Sequence, residues 1–576
     1  MHNFHTYVQL EQGVSAENVK QKLVNNGDRY LDEGTDLFKA LVFTPLPEVH
    51  MTHVRGNLEP AFERKYVYIF TVVAFIILLI ACVNFMNLST ARSAKRSKEV
   101  GLRKVVGARR IQLIRQFLGE TIFLSFISLI FALGIVTLLT PSFNNWTGAG
   151  IEIGFTDLSF LGGLAILTLF VGLFSGSYSS FFMSGVKPVV MLRGISKLHF
   201  RNPLFRNALV FLQFSISIIL ITVTIVIARQ LDFLKNMDLG WDHEQIVNVR
   251  LIDSETKLQA ETIKAELRKS PNIINATTST FLPSSVSQRH GVWWEGKQDD
   301  QSLDVWVFFI DDNFFDTFNM EIVQGRQFRK NAGEDEDGYI INEATIREIG
   351  WENPIGKKFT AFWEEGERPP IVGVAKDFNF RSLHHKIEPC LFYLNTGGNP
   401  LLSIRVQSDN ISGTLEYIEE VIGTFQPGIP FEYYFMDEEF DKLYKSEIRM
   451  GNTISVFTVI AVFIACLGLF GLAAFIAEQR TKEVGIRKVL GASAVQVMMC
   501  LSRDTARCII AANVLAWPAS YFILRRWLQG FEYKVGIGID TLIIAGLLAF
   551  LIAALTISYQ VLKAAFANPA DSLRYE

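Results

Sequence analysis

Seven apolar runs without a single Asp, Glu, Lys or Arg punctuate this chain, at 66–91, 121–139, 158–186, 207–228, 452–477, 508–524 and 541–562. A helix needs about 20 consecutive apolar residues to cross a bilayer, and in hydrocarbon a helix satisfies its own backbone where a loop does not. The runs predict seven membrane helices. The sixth is the shortest and contains Pro518, which a membrane helix tolerates. A wholly soluble chain is excluded, and so is a wholly embedded one, because the block 229–452 has no such run. The 49% hydrophobic content excludes intrinsic disorder, and a formal net charge of −3 argues against nucleic acid as a partner.

The basic residues orient the helices. Arg92, Lys95, Arg96, Lys98, Arg103, Lys104, Arg109, Arg110 and Arg115 follow the first run, and Lys187, Arg193, Lys197, Arg201 and Arg206 follow the third. Arg480, Lys482, Arg487, Lys488, Arg503 and Arg507 follow the fifth, whereas 141–157 has no Lys or Arg. By the positive-inside rule these three connections and the C-terminus are cytoplasmic, and 1–65 and 229–452 lie outside. The first 23 residues have no apolar core of a signal peptide. Either the first 65 residues cross unaided, or a helix precedes them that this chain lacks.

An internal repeat favours the second reading. Lys98-Glu-Val-Gly-Leu-Arg-Lys-Val-Val-Gly-Ala108 returns as Lys482-Glu-Val-Gly-Ile-Arg-Lys-Val-Leu-Gly-Ala492, each copy directly after an outside-to-inside run. Pro188-Val-Val-Met-Leu-Arg193 is echoed by Pro569-Ala-Asp-Ser-Leu-Arg574, and the segment from Val8-Gln9 to Leu23 faintly by that from Val406-Gln407 to Ile422. Repetition on this scale means two copies of one module. The second comprises a span, 207–228, an external domain, 229–452, and three further spans. The first has only a remnant of an external domain, 1–65, before its three spans, 66–186. Eight spans are expected in a complete form.

Each repeated segment reads as a short cytoplasmic helix. Ser97 and Thr481 stand where a hydroxyl caps a helix start, and Glu99 and Glu483 follow in the first turn. Arg103 and Lys104, and likewise Arg487 and Lys488, lie toward the end, with Glu99–Arg103 and Glu483–Arg487 in the favourable i,i+4 order. Gly107 and Gly491 suit the left-handed residue that stops a helix. Leu102, Val105 and Val106, matched by Ile486, Val489 and Leu490, form an apolar stripe. A basic membrane flank needs only Lys and Arg, so the nearly unchanged copy fits a docking surface used twice better.

This motif, K-E-[IV]-G-[IL]-R-[KR]-[AV]-[LV]-G-A after a membrane helix, resembles the hallmark of the MacB/FtsX-like permeases of ABC transporters. Similar to that family are also the two P-x-x-x-L-R segments and Arg206-Asn-Ala-Leu-Val-Phe-Leu-Gln213-Phe214. So are Gly325-Arg326-Gln-Phe328, Ile340-Ile-Asn-Glu343 and Asn353-Pro-Ile-Gly-Lys357 of the external block. The resemblance covers nearly the whole chain, except the opening helix and most of the first external domain. It implies a polytopic α-helical inner-membrane protein with an α/β periplasmic domain of MacB-core type at 229–452. The membrane modules are 66–186 and 453–562, joined by the cytoplasmic linker 187–206 and the span 207–228, and 563–576 is a cytoplasmic tail. It implies further that 98–108 and 482–492 are coupling helices on a separate cytoplasmic ATPase dimer. The residues concerned are Lys98, Glu99, Gly101, Arg103, Lys104 and Gly107 in the first copy, and Lys482, Glu483, Gly485, Arg487, Lys488 and Gly491 in the second. The function implied is export or extraction of an amphiphilic compound, peptide or lipoprotein. The alternative is a mechanotransmitter that moves no substrate and regulates a periplasmic enzyme or senses antimicrobial peptides, with a periplasmic adaptor or hydrolase as partner.

Within the external block, strands are expected at 245–249, 306–310, 370–374, 403–406 and 431–435, and helices at 256–269, 413–424 and 437–450, the last running into the fifth span. Catalytic motifs are absent. There is no G-x-x-x-x-G-K-[ST] loop, no G-x-S-x-G elbow and no H-E-x-x-H. His384-His385 reads as a surface pair, because neighbours on a strand point opposite ways. Glu334–Asp337 reads as a solvated turn and Trp293-Trp294 as one buried and one partly exposed ring. The five cysteines offer no metal spacing and read as packing residues. No cofactor, metal or catalytic residue is expected.

Overall fold

The computed structural model describes residues 8–11, 13–26, 64–95, 97–148, 150–185, 203–329, 338–361, 369–395, 397–479 and 481–566. The chain divides into Met1–Val72 and Val73–Glu576. The first unit holds helix α1 (Ala16–Asn26), whose Asn18 amide donates to the Ser15 hydroxyl at 3.2 Å, and the start of α2 (Arg64–Lys95). The P-x-x-x-L-R segments and the acidic turn at 334–337 lie outside the described residues.

After α2 come α3 (Ser97–Val105), α4 (Arg110–Thr147), α5 (Leu158–Gly185) and α6 (Pro203–Lys235). Helix α4 is far longer than the apolar run 121–139. Its charged first turns look like a loop to a hydropathy reading, but they continue the helix outside the apolar zone. Glycine brings α4 and α5 together, since Thr121 donates its hydroxyl to Gly172 O at 3.2 Å and a Cβ on Gly172 would lie 2.9 Å from Ile122 Cα. Small residues four apart allow such approach without lipid competing. A Cβ on Gly176 would overlap the Thr121 hydroxyl. Gly176→Val is therefore expected to destabilise this hairpin by about 1–3 kcal/mol, as overpacking does, read as a lowered melting temperature in detergent. An unchanged melting temperature would count against the close packing.

The α/β domain follows, with β1 (Ile246–Arg250), α7 (Ser254–Leu258), α8 (Ala260–Leu267), β2 (Ile273–Ser279), β3 (Arg289–Gly291), β4 (Trp293–Trp294) and β5 (Asp304–Ile310). It continues through α9 (Phe314–Thr317), β6 (Ile322–Gly325), β7 (Tyr339–Asn342), α10 (Glu343–Ile349), β8 (Phe359–Thr360), β9 (Ile371–Ala375) and β10 (Cys390–Leu394), and closes with β11 (Leu401–Val406), α11 (Ile411–Phe425), β12 (Tyr433–Phe435) and α12 (Met436–Leu443). The main sheet runs β12-β1-β11-β2-β5-β10-β7-β9-β6, with β3 beside β5. Its first four strands pair antiparallel with crossovers through α8 and α11, the β-α-β-β-α-β arrangement of ferredoxin-like folds. The segment from β3 to β10 is inserted between β2 and β11. Ile263, Leu267, Ile418 and Ile422 of α8 and α11 pack on Val247, Val249, Ile404 and Val406 of the sheet.

The inserted half explains part of the phenylalanine richness. Phe308, Phe314, Phe315, Phe318, Phe378, Phe380 and Phe392 are all buried in one cluster, with Phe308 stacked on Phe392 at 5.2 Å. Two expectations are corrected here. The helix expected at 256–269 breaks at Gln259 (φ −90°, ψ 10°), and the one at 437–450 breaks at Tyr444 (φ −112°, ψ 11°). At the second break the Tyr444 hydroxyl accepts from Leu383 N at 2.8 Å, a tertiary bond no local pattern reveals. Trp294 is buried and Trp293 partly so.

The chain ends with α13 (Lys445–Gln479), α14 (Thr481–Val489), α15 (Ala494–Leu528) and α16 (Ile539–Phe566). Among the described residues, α2, α4, α5, α6, α13, α15 and α16 are long and apolar enough to cross a membrane. Helices α6, α13, α15 and α16 share one core, in which Ala545, Ala549 and Ala553 give α16 a small-residue stripe. The buried Gln213 of α6 donates to Ala465 O of α13 at 2.9 Å. The aromatic core of the α/β domain continues onto these helix ends through Leu234, Tyr444 and Phe531.

Candidate coupling site

The helices α3 and α14 have the same construction. Each starts at the residue expected to cap it, Ser97 or Thr481, which is thus the first helical residue. The side chains of Ser97, Lys98, Thr481, Lys482 and Lys488 lie outside the described residues. Glu99 pairs with Arg103 at 2.7 Å and Glu483 with Arg487 at 2.8 Å. Both pairs are half exposed, where such a bond adds only about 0.3–0.5 kcal/mol, so they shape the surface more than they hold the fold.

Each arginine also reaches forward to the next helix. Arg103 donates to Gln116 Oε1 of α4 at 2.8 Å, and Arg487 to Cys500 Sγ of α15 at 2.7 Å. These are corresponding positions in the repeat. Gly107 (φ 103°) and Gly491 (φ 90°) are left-handed. In the first copy Ala108 N bonds to Arg103 O at 2.9 Å and Gly107 N to Lys104 O at 3.1 Å, a complete Schellman closure. Ala492 N repeats the longer bond to Arg487 O at 2.9 Å. The following helices start alike too, with Gln112 and Gln496 accepting from the amides of Arg109 and Ser493 at 2.9 Å.

One face of each helix is anchored. Val100 and Gly101 are buried, as are Val484 and Gly485, and Val484 joins the core of the second membrane module. Lys104 donates to Ser184 O at 2.8 Å at the end of α5. Burial and then the charge of Arg110 lower its pKa. The opposite face is open and apolar. Leu102, Val105 and Val106 are 59%, 60% and 82% exposed, and Ile486, Val489 and Leu490 are 52%, 67% and 81% exposed. The motif alone did not single out Gln112, Gln116, Ser184, Val100 or their counterparts. Carrying the repeat spacing past the motif would have flagged Gln112 with Gln496.

His384 and His385 occupy a turn closed by His385 N bonding to Ser382 O at 2.9 Å, not a strand. His384 stacks on Phe531 at 4.3 Å and approaches the buried Glu447 at 3.7 Å, so it is part of the joint between domain and membrane helices rather than a surface pair. Burial, followed by the charge of Arg381, lowers the pKa of the exposed His385. All five cysteines are free thiols.

Two copies of a three-helix module, each with a short anchored helix between its first two spans, define a duplicated polytopic membrane protein with an inserted α/β domain. The family model for the C-terminal domain of FtsX-like permeases matches residues 71–187 and 455–569, one match on each module. Both membrane modules thus resemble the C-terminal domain of FtsX-like permeases. The chain is 35% identical over 124 residues to the macrolide export ATP-binding/permease protein MacB of Bdellovibrio bacteriovorus, covering 21% of this chain and 18% of that protein. It is 33% identical over 127 residues to the protein of the same name from Syntrophobacter fumaroxidans, covering 21% and 16%. These matches span under a fifth of the length of those relatives. The periplasmic region of MacB from Actinobacillus actinomycetemcomitans matches at 16% identity and a TM-score of 0.26, covering 35% of this chain and 93% of that one.

Proposed function

We propose that this chain is the membrane subunit of an ABC transporter, with α3 and α14 as coupling helices seated on a cytoplasmic ATPase dimer. The observation that carries this is the duplicated open face, three large apolar side chains on each of two short helices otherwise fixed to the bundle. Exposed apolar side chains repeated in the same geometry are what a two-fold partner requires. The chain has no nucleotide-binding loop of its own, so hydrolysis falls to the partner. The basic flanks put α3, α14 and the C-terminus in the cytoplasm and the α/β domain in the periplasm.

The second module supplies a route for motion. Helix α13 has 35 residues, about 52 Å at 1.5 Å per residue. It starts at the aromatic joint with the α/β domain and ends one residue before α14. Displacement of α14 by ATP binding is thereby passed to the periplasmic domain. Relatives named for macrolide export favour an amphiphilic compound, peptide or lipoprotein as substrate.

The test is purification in mild detergent followed by mass spectrometry, on the wild-type chain and on Glu99→Lys, Glu483→Lys and their combination. A nucleotide-binding subunit at about two copies per chain, as a two-fold partner requires, is expected with wild type. It should be reduced in each single variant and most in the double, with unaltered membrane insertion. Equal recovery in all four samples would remove these residues from the interface.

A further inference from the structure

The two modules meet where α2 crosses α13, and the residues at that crossing are repeat equivalents of each other. The spacing that carries Lys98 onto Lys482 carries Ala81-Cys82-Val-Asn84 onto Ala465-Cys466-Leu-Gly468, and Asn87 onto Gly471. Asn84 of α2 is buried and donates its amide to Ile464 O of α13. A Cβ on Gly468 would collide with the Asn84 amide oxygen, and one on Gly471 with Leu88. Asn84 thus lies against its own counterpart, as residues do beside a two-fold axis.

The pair is not symmetric in chemistry. One copy supplies a polar side chain, and the other supplies the space it enters. The Asn84 amide oxygen has no conventional hydrogen-bond partner, but it sits where a Gly468 Cβ would be, so a Gly468 Cα–H bond is directed at it. Such contacts recur at helix–helix interfaces. One residue further along α13, Gln213 of α6 donates to the carbonyl of Ala465 at 2.9 Å. Two amide side chains from two helices therefore hold α13 at one level. Pairing like with like between two copies of this chain would set Asn84 against Asn84, or leave two Gly468 positions facing each other unfilled.

We infer that Asn84 and Gly468 form a hook-and-hole lock that pairs the two modules within one chain and rejects pairing between copies. This holds whether or not an ATPase seats on α3 and α14. The test uses the full chain with its native cysteines replaced and a cysteine pair at Trp146→Cys and Asn452→Cys. These positions adjoin because the Asn452 amide donates to Trp146 O at 3.0 Å. After oxidation the uncut sample separates an intrachain disulfide, which stays monomer-sized, from an interchain one, which gives a dimer. Cutting the isolated monomer band in the connection 187–202 then shows whether a disulfide holds its two halves together.

The parent is expected to crosslink within the chain. Gly468→Val should lower that yield about tenfold, as overpacking of a close crossing does, and Asn84→Leu, which keeps the helix apolar, should lower it too. Exchanging the pair, Asn84→Gly with Gly468→Asn, should restore the yield to within about twofold, since hook and hole merely change sides. Parent-level crosslinking in Gly468→Val or in Asn84→Leu would overturn the lock. So would an exchanged variant no better than Gly468→Val, or a parent that links chiefly between chains.

Discussion

Val106→Lys combined with Leu490→Lys is expected to abolish recovery of the co-purifying ATPase while leaving the chain inserted and folded. These two side chains are the most exposed of the two stripes, at 82% and 81%, so neither contributes to the chain's own core. Seated in a partner's groove, each would contribute about 1.5–3 kcal/mol. Every 1.4 kcal/mol is tenfold in affinity, so each loss alone costs about 10- to 100-fold. Lysine also brings a charge into a groove built for an aliphatic chain. It is the right charge to add, because a cation at a helix C-terminus favours the helix and a basic loop favours the cytoplasmic side. A reduced yield of inserted chain would therefore not be the expected cause of any loss. The measurement is the ratio of ATPase to permease after affinity purification, alongside Val100→Lys as a contrast. Val100 is 3% exposed, so that variant should impair the chain itself. An undiminished ratio in the double variant would reject α3 and α14 as the docking surface.

The build of α3 and α14 was legible because everything defining it is local. The glutamate–arginine spacing, the terminal glycine and the aliphatic stripe all fall within eleven consecutive residues, and helix geometry alone places them. Which face is anchored was not legible, because Val100 and Val484 are distinguished from Leu102 and Ile486 only by neighbours elsewhere in the chain. The membrane helices show the same division. Their apolar centres were evident, but α4 and α15 extend well beyond, since Arg110–Glu120 and 494–507 carry charges that a hydropathy reading assigns to loops. In the α/β domain the five expected strands fall within two residues of β1, β5, β9, β11 and β12, the first four of them largely buried branched and aromatic runs, whereas β2, β7 and β10 were not expected. The sheet order was not found, since the inserted half separates β2 from its partner β11. His384 shows the limit most plainly. Its role comes from Phe531, on the loop between α15 and α16, and nothing near His384 in sequence announces that contact.

The second large effect is expected inside the α/β domain, at a charge pair that sequence reading passed over. Lys264 of α8 is 0% exposed and Asp311, just after β5, is 1% exposed, with Nζ and Oδ2 2.6 Å apart. Asp311 also accepts from Thr278 N at 2.7 Å, from Asn313 N at 3.0 Å and from the hydroxyls of Thr277 and Thr278. Glu261 gives Lys264 a second carboxylate at 2.5 Å. Glu261, Asp311 and Asp312 bring their oxygens close enough to suggest a metal site, but the Lys264 ammonium already bridges two of the three. The pair joins the ferredoxin-like half to the inserted half, where β2 and β5 share only the Ser279–Ile310 pairing. Removing Lys264 leaves the buried Asp311 charge uncompensated, which costs about 3–5 kcal/mol against a domain stability of about 5–15 kcal/mol, whereas removing Asp311 leaves Lys264 paired with Glu261 and costs less. Lys264→Met and Asp311→Asn should each lower the urea midpoint for pulse proteolysis of the domain in the full-length protein. The double variant should lose less than the two singles together, because it leaves no lone charge. The pH dependence has a definite sign. Burial pulls the Lys264 pKa down, but Asp311 and then Glu261 outweigh it and hold the ammonium above the ordinary lysine value. Its contribution is therefore complete below the unfolded lysine pKa and is lost as pH rises through the higher folded one. Wild type should show an alkaline loss of stability above the ordinary lysine range that Lys264→Met lacks. A single-variant loss below about 1 kcal/mol, the size of an exposed pair, would mean that the two halves are held together without this bridge.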